Sequence, residues 1–426
     1  MYRFLSICMI VIVCLTGCVS QSVEPVLDSS FYQKYNGKLK NETQQVSNHL
    51  VIWTPENIFE NSLPRFQEMY PDMEIIIETV DKEELVNKYL TSLIVGKTPD
   101  VFIFPDQYLG MFRGVGGLEE LNESTYYEEE FFKKRPQALL DEHIYNDKMR
   151  TFPLLFFPYV TFYRADIFEE NNYPHEPLEL SKYINKATNW YKLAYGFYNH
   201  NQYIMESDHS LIEIALRTSN FLNDDVEYIV ENSPFNETIK AAQLVTNKPY
   251  DHYVNIWEDS GKEALANDQL VMFYSPSYMK DNLEQWLPEQ KGKWAITTLP
   301  FGLRGVDKDA SLSAAISSSS NNKKAAWQFI KHMANDMLNM YTHPIQSDFY
   351  RNDDIQKIYR KMIDENNPGT PSPLDREIKW IWNHSIKEFQ LGYEIKPLMI
   401  EQAHKDVMNF IRQDQQALQN LKSADE

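Results

Sequence analysis

The sequence predicts an α/β protein of two lobes, and three observations carry that expectation. Its 426 residues exceed the length over which one hydrophobic core usually grows. Between His49 and Phe104, short apolar runs alternate with segments whose apolar residues recur at helical spacing. After residue 48 there is no Pro-rich linker, low-complexity block or short repeat, so the chain is expected to pass between its lobes more than once.

At the N-terminus, Arg3 precedes an apolar run from Phe4 to Leu15, too short to span a bilayer but suited to the core of a signal peptide. The run ends in Leu15-Thr16-Gly17-Cys18, which resembles the lipobox of bacterial lipoproteins, with Cys18 as the lipidated residue and residues 1–17 as the removed leader. Cys8, Cys14 and Cys18 are the only cysteines, so a chain beginning at Cys18 has no disulfide, Cys-based zinc site or cysteine nucleophile within its fold. Residues 18–48 are polar and aperiodic and read as a lipidated Cys with a tether.

From His49 the character changes. Leu50-Val51-Ile52-Trp53 reads as a strand; Phe59, Leu63, Phe66 and Tyr70 fall at helical spacing until Pro71; Ile75, Ile77 and Thr79 form a second strand. Asp81 as N-cap, with Glu84 three residues on, opens a helix through Leu85, Tyr89 and Leu93 that Gly96 closes; Asp100 to Phe104 is the third strand. Such alternation implies right-handed crossovers and a parallel sheet, with ligands outside the carboxyl ends of the strands. Two loops are thereby singled out, Thr54 to Asn57 and Pro105 to Tyr108. Further strands are expected at Thr151–Leu155, Val160–Tyr163, Leu270–Tyr274 and Trp294–Leu299, and amphipathic helices at Asp208–Phe221, Asn322–Met340 and Pro397–Leu421.

Formal net charge is −20, and loss of Arg3 with the leader makes it −21. That balance, with no Lys/Arg run, excludes a phosphate backbone as partner. No nucleophile elbow, phosphate loop, dinucleotide fingerprint or paired-histidine zinc motif is present, so the reading is a binding protein without cofactor and not an enzyme.

At this point the chain resembles family 1 of the bacterial extracellular solute-binding proteins, the group of maltose-binding-like receptors. The resemblance rests on His49–Trp53 with Tyr70-Pro71-Asp72, Gly96-Lys97-Thr98-Pro99-Asp100-Val101-Phe102, Gly117-Leu118-Glu119-Glu120-Leu121 and Phe152-Pro153 through Tyr163. Ala264 to Tyr278, Gly292-Lys293-Trp294 to Pro300 and Asn321 to Ile330 follow in the same order. It implies a two-lobed periplasmic-binding (type II-like) fold with a hinge and an interlobe ligand cleft: lobe one at 49–155 plus 303–345, lobe two at 156–302 plus 346–426. The implied partners are a small solute, a carbohydrate first, the permease subunits of an ABC importer, and the membrane through a lipid anchor on the extracytoplasmic face. A monomer is implied. Alternatives are a sensor on the same fold, a metal receptor using His200 and His209 near Asp208, and a glycan-active enzyme.

Sugar recognition requires aromatic faces for the C–H side of a pyranose and polar groups for its hydroxyls. The resemblance nominates Asp106 as the polar ligand, although Gln107 stands where relatives often carry Arg; Asn57 and Glu56 form the other polar loop. Tyr278 and Trp380 match stacking positions, and Phe157 and Tyr159 sit at the first crossing. Trp382, two residues from Trp380, should face elsewhere on a helix.

Overall fold

The computed structural model describes residues 49–425 apart from 61, 208, 246–247, 366, 368 and 391–396; Cys18, the leader and the tether lie outside the described residues. Two sheets organise the chain. The first has five strands in the order β2-β1-β3-β10-β6, from β1 (His49–Thr54), β2 (Glu74–Thr79), β3 (Val101–Pro105), β6 (Phe152–Leu155) and β10 (Leu312–Ile316). A two-residue-per-strand hairpin, β4 (Ile144–Tyr145) and β5 (Lys148–Met149), stands apart from it. The second sheet has three strands in the order β8-β7-β9, from β7 (Tyr159–Arg164), β8 (Met272–Pro276) and β9 (Trp294–Thr297).

β1 pairs in parallel with both β2 and β3, as the strand-helix alternation predicts. β10 then runs antiparallel to β3 and β6, a reversal that local sequence does not announce, because β10 arrives some 200 residues after β3. All five residues of β3 are buried. Val101 and Ile103 face a core with Phe66, Trp327 and Phe329, while Phe102 and Phe104 face a second core with Tyr89 and Phe112. The period-two alternation of the strand thus feeds two layers of helices. Burying each such side chain stabilises by roughly 1.5–3 kcal/mol.

The helix Leu63–Met69 starts later than the apolar spacing suggests. Phe59 precedes it but packs on Phe329 at 5.6 Å. Asp81 does not cap the next helix: its Oδ1 accepts from Glu83 N at 2.8 Å, so residues 81–84 form a turn and the helix runs Leu85–Val95. Gly96 closes it in the left-handed region at φ 70°.

Around the second sheet lies the largest core, which takes residues from Tyr159 to Leu303 and again from Phe349 to Ile411. Cross-strand partners Phe162 and Phe273 stack at 5.2 Å and 8°. The chain therefore leaves the first sheet after β6, returns to it at β10 and the helix Lys323–Thr342, and goes back to the second core with the helices Ile355–Asp364 and Asp375–Gln390. Trp382 is fully buried in that core, its Nε1 donating to Tyr228 Oη at 3.1 Å. Among the described residues no helix is long and apolar enough to cross a membrane.

Candidate functional site

The site is built where the two crossing segments meet the second sheet. Tyr159 opens β7 opposite Pro276 at the end of β8, so one strand end presents Tyr159 and the turn beyond Pro276 presents Tyr278. Tyr278 meets Phe157 edge to face at 5.3 Å and 86°. Beside them lies the helix Ser210–Thr218, buried except at Glu213 and Arg217. Ser210, Glu213 and Arg217 stand at i, i+3 and i+7, one stripe of an otherwise enclosed helix.

The third wall is the loop Val254–Trp257. Glu206 pins it: its backbone carbonyl accepts from Val254 N at 3.1 Å and its Oε1 from Ile256 N at 2.9 Å. Gly261 lets the following helix lie against the loop, since a Cβ there would fall 2.1 Å from the Asn255 carbonyl oxygen. These walls enclose a cavity of about 300 Å³ lined by Tyr159, Glu206, Glu213, Arg217, Trp257 and Tyr278, with Ser207, Ser210 and Ser275 between them.

Arg217 ties this cavity to the crossing segment. Its Nε and Nη2 donate to Asp307 at 3.0 and 2.5 Å, its Nη1 to Glu213 at 3.2 Å, and its guanidinium lies 5.5 Å from the centre of the Tyr159 ring. Asp307 is fully buried, and its backbone N donates to the Phe157 carbonyl at 2.8 Å, joining the two crossings. Burial pulls the Arg217 pKa down, but the Asp307 carboxylate outweighs it and the net shift is upward, so the guanidinium stays charged. Burial pushes Glu206 up to about 7, against the Ile256 N–H bond that lowers it.

Asp106, just past β3, is buried; the Ser313 hydroxyl from β10 donates to its Oδ1 at 2.5 Å. Burial pushes its carboxyl up to about 7, opposed by that bond and by Lys308, whose Nζ donates to Glu142 at 3.2 Å. Lys308 N also donates to the Arg217 carbonyl at 2.9 Å, so Asp106 and the cavity share one electrostatic neighbourhood around residues 307–308 without sharing a wall.

The structure thus brings Tyr159, Phe157 and Tyr278 together and sets Asp106 near them. Glu56 and Asn57 stand apart on an exposed loop, Glu56 paired with Lys82 and Asn57 Oδ1 accepting from Phe59 N at 3.4 Å, the geometry of a turn. Trp380 is 63% exposed and stacks on His384 at 5.3 Å and 2°, outside the cavity lining. Glu206, Glu213, Arg217 and Trp257 are cavity residues that sequence reasoning missed. A signal existed for two of them: in Ser210–Thr218 the only charged residues are a carboxylate and a guanidinium one turn apart. Among the described residues no group of three or more His, Cys, Asp or Glu could hold a metal.

Comparisons with known proteins agree with this architecture. The galacto-N-biose/lacto-N-biose I-binding protein of Bifidobacterium longum, solved with lacto-N-biose, superposes with a TM-score of 0.67 at 15% identity over 87% of this chain and 98% of its own. The sugar-binding protein MalE of Xanthomonas citri gives 0.66 at 14% identity over 87% and 99%. An extracellular solute-binding protein of Staphylococcus aureus, solved with maltose, gives 0.57 at 15% identity over 87% and 99%. These likenesses establish the two-lobed fold. Among curated proteins no sequence matches the chain significantly. The family model of the bacterial extracellular solute-binding proteins, which are binding proteins rather than enzymes, matches residues 63–348, about two thirds of the chain. The chain is therefore a member of the bacterial extracellular solute-binding proteins.

Proposed function

We propose that this protein is the solute receptor of an ABC importer and that its solute is a sugar or oligosaccharide held in the cleft by hinge closure. One observation carries the reading: the cavity at the crossings combines two carboxylates, a guanidinium and the rings of Tyr159, Tyr278 and Trp257. Flat rings suit the C–H faces of a pyranose, and Glu206, Glu213 and Arg217 suit its hydroxyls. Of the sequence-nominated residues, Tyr159, Phe157 and Tyr278 serve as ring surfaces and Asp106 as the facing polar group. Glu56, Asn57 and Trp380 lie outside the lining and have at most a rim contact. Lobe one is taken as 49–155 plus 303–345 and lobe two as 156–302 plus 346–426. The proposal includes a lipid on Cys18 that holds a monomer at the outer face of the cell membrane.

A ligand that binds the native state raises its apparent stability. A thermal-shift panel of sugars, oligosaccharides, polyols and peptides tests the reading. Carbohydrates are expected to raise the midpoint, and a shift produced by peptides alone overturns it.

A further inference from the structure

Besides the Arg217–Asp307 pair, a second set of contacts joins the body built on the first sheet to the body built on the second. The turn Asp106–Tyr108 and the short helix Leu109–Phe112 that continues it belong to the first, because Tyr108 and Phe112 pack in one core with Tyr89, Phe102 and Phe104. The helix Asp375–Gln390 belongs to the second, since Leu374, Ile378 and Trp382 lie in the core around β7, β8 and β9. Where they meet, the Arg376 guanidinium lies 5.9 Å from the centre of the Tyr108 ring, the Ser372 backbone presses on Gly110, and Lys379 Nζ donates to Asp309 Oδ1. Asp309 stands with the first sheet, because Gln107 N and Asp106 N donate to the carbonyls of Lys308 and Ser311 on either side of it.

The segment that makes these contacts is held along its length by its own body. Gly369, at φ 110°, lies so close to residues 220–222 that a Cβ would fall 2.9 Å from Asn220 Cβ. Asn220 Nδ2 donates to the Gly369 carbonyl at 3.1 Å, Thr370 N to the Leu222 carbonyl at 2.8 Å and Thr370 Oγ1 to Asp224 at 2.6 Å. Ser372 turns the chain into the helix: its Oγ accepts from Leu374 N at 3.2 Å, its carbonyl from Asp375 N at 3.1 Å, and its own N donates to Asp375 Oδ2 at 2.7 Å. Pro371 and Pro373 flank it with fixed φ. A surface ordered in advance engages its partner at little further entropic cost. The contact is also tight, since Tyr108 is 8% exposed and the Lys379 side chain 13%, and a pair so covered is screened less than one in open solvent.

We propose that the segment Gly369–Lys379 is a built-in latch, which clasps the turn and short helix Asp106–Phe112 and holds the two bodies together before a solute binds. The latch goes beyond the receptor reading and rests on its two-lobe part alone. Asp106 lies on the clasped turn, so latching also fixes where that carboxyl stands. A protein that is latched part of the time loses less apparent affinity to the fraction of molecules that stand open.

Maleimide labelling of the full chain in detergent, with Cys8, Cys14 and Cys18 changed to Ala and no sugar present, tests it. Tyr108→Cys supplies the one thiol, beneath Arg376. It should label about two- to fivefold faster once Lys379→Ala removes the ion pair, the scale of one such pair, and Lys379→Arg should keep the parent rate. A thiol placed instead by Ala315→Cys, fully buried in the same core on β10, should keep its own rate throughout. Labelling of Tyr108→Cys that neither Lys379→Ala nor Arg376→Ala accelerates overturns the latch. Acceleration at both thiol sites also overturns it, because it reports loosening of the first core instead. If Lys379→Ala does not fold, Asp309→Asn breaks the same pair from the other side and is read in the same way. No sugar enters the measurement, so failure of the latch leaves the carbohydrate reading standing.

Discussion

Arg217 and Asp307 form a two-pronged ion pair, at 3.0 and 2.5 Å, that joins the cavity wall to the segment by which the chain returns to its first sheet. Removing one partner of a buried pair leaves the other charge uncompensated, at roughly 3–5 kcal/mol. Arg217→Met should therefore lower unfolding free energy by about that amount in denaturant titration and weaken solute binding. Loss of stability with unchanged affinity would make the pair a structural strut alone.

Gly110, four residues past Asp106, packs against Ser372; a Cβ on Gly110 would lie 2.2 Å from the Ser372 carbonyl carbon and oxygen. Gly110→Ala must push these two segments apart and, on the proposed hinge closure, disfavour closing. Apparent affinity falls in proportion to the fraction of molecules able to close. A drop of about tenfold is expected by titration, corresponding to a shift of about 1.4 kcal/mol. Wild-type affinity in this variant would show that the two segments do not need to meet.

Tyr278→Ala should weaken solute binding about tenfold to hundredfold, the equivalent of roughly 1–3 kcal/mol, with little change in the unfolding midpoint because the ring is only half-buried. Trp380→Ala should move the midpoint within about 0.5 kcal/mol of stability, as an exposed ring outside the core. The reverse pattern, a large midpoint loss with intact affinity for Tyr278→Ala, would return that ring to the core.

Burial raises Asp106, Glu206 and Asp375 to about 7. Between about pH 4 and 7 the folded state keeps protons that the unfolded chain has released, so these groups make stability fall as pH rises through that window. His143 acts oppositely: burial pushes it down to about 3, so it adds stability as pH rises from about 3 to 6.5. Three groups outweigh one. The unliganded midpoint should be lower at about pH 7.5 than at about pH 5.5, while affinity rises as Asp106 and Glu206 become acceptors. Asp106→Asn should flatten the stability trend. A midpoint that climbs across that range would contradict these protonation states.

The anchor proposal has its own test. A labelled lipid precursor should tag the full-length chain, and Cys18→Ala should lose the tag and free the protein from membranes. Membrane attachment of that variant would defeat the assignment.

The first parallel unit was legible because each of its elements carries its own period and stop: Leu50 to Trp53, the Gly96 cap, and a third strand apolar on both faces. Asp106 and Tyr278 could be nominated because each directly follows a strand or its turn. What local pattern could not show was convergence. Glu206, Arg217 and Trp257 lie on a loop, a helix and another loop, and contacts between segments distant in sequence, such as Glu206 with Val254 and Ile256, draw them around one cavity. Trp380 illustrates the converse, since matching a stacking position in sequence says nothing about which way its helix is turned, and here that side faces solvent. The start of the helix at Leu85 was misplaced for a similar reason: Asp81 can serve a turn as well as a cap, and the turn won.

Small-angle scattering follows the proposed closure of the two lobes around a carbohydrate. The chain from residue 49 onward carries both sheets and can be measured with the carbohydrate that gives the largest thermal shift. The radius of gyration should fall at saturation, because hinge closure brings the two sheets together over the solute. A radius unchanged at saturating carbohydrate would mean that the lobes do not close over the solute.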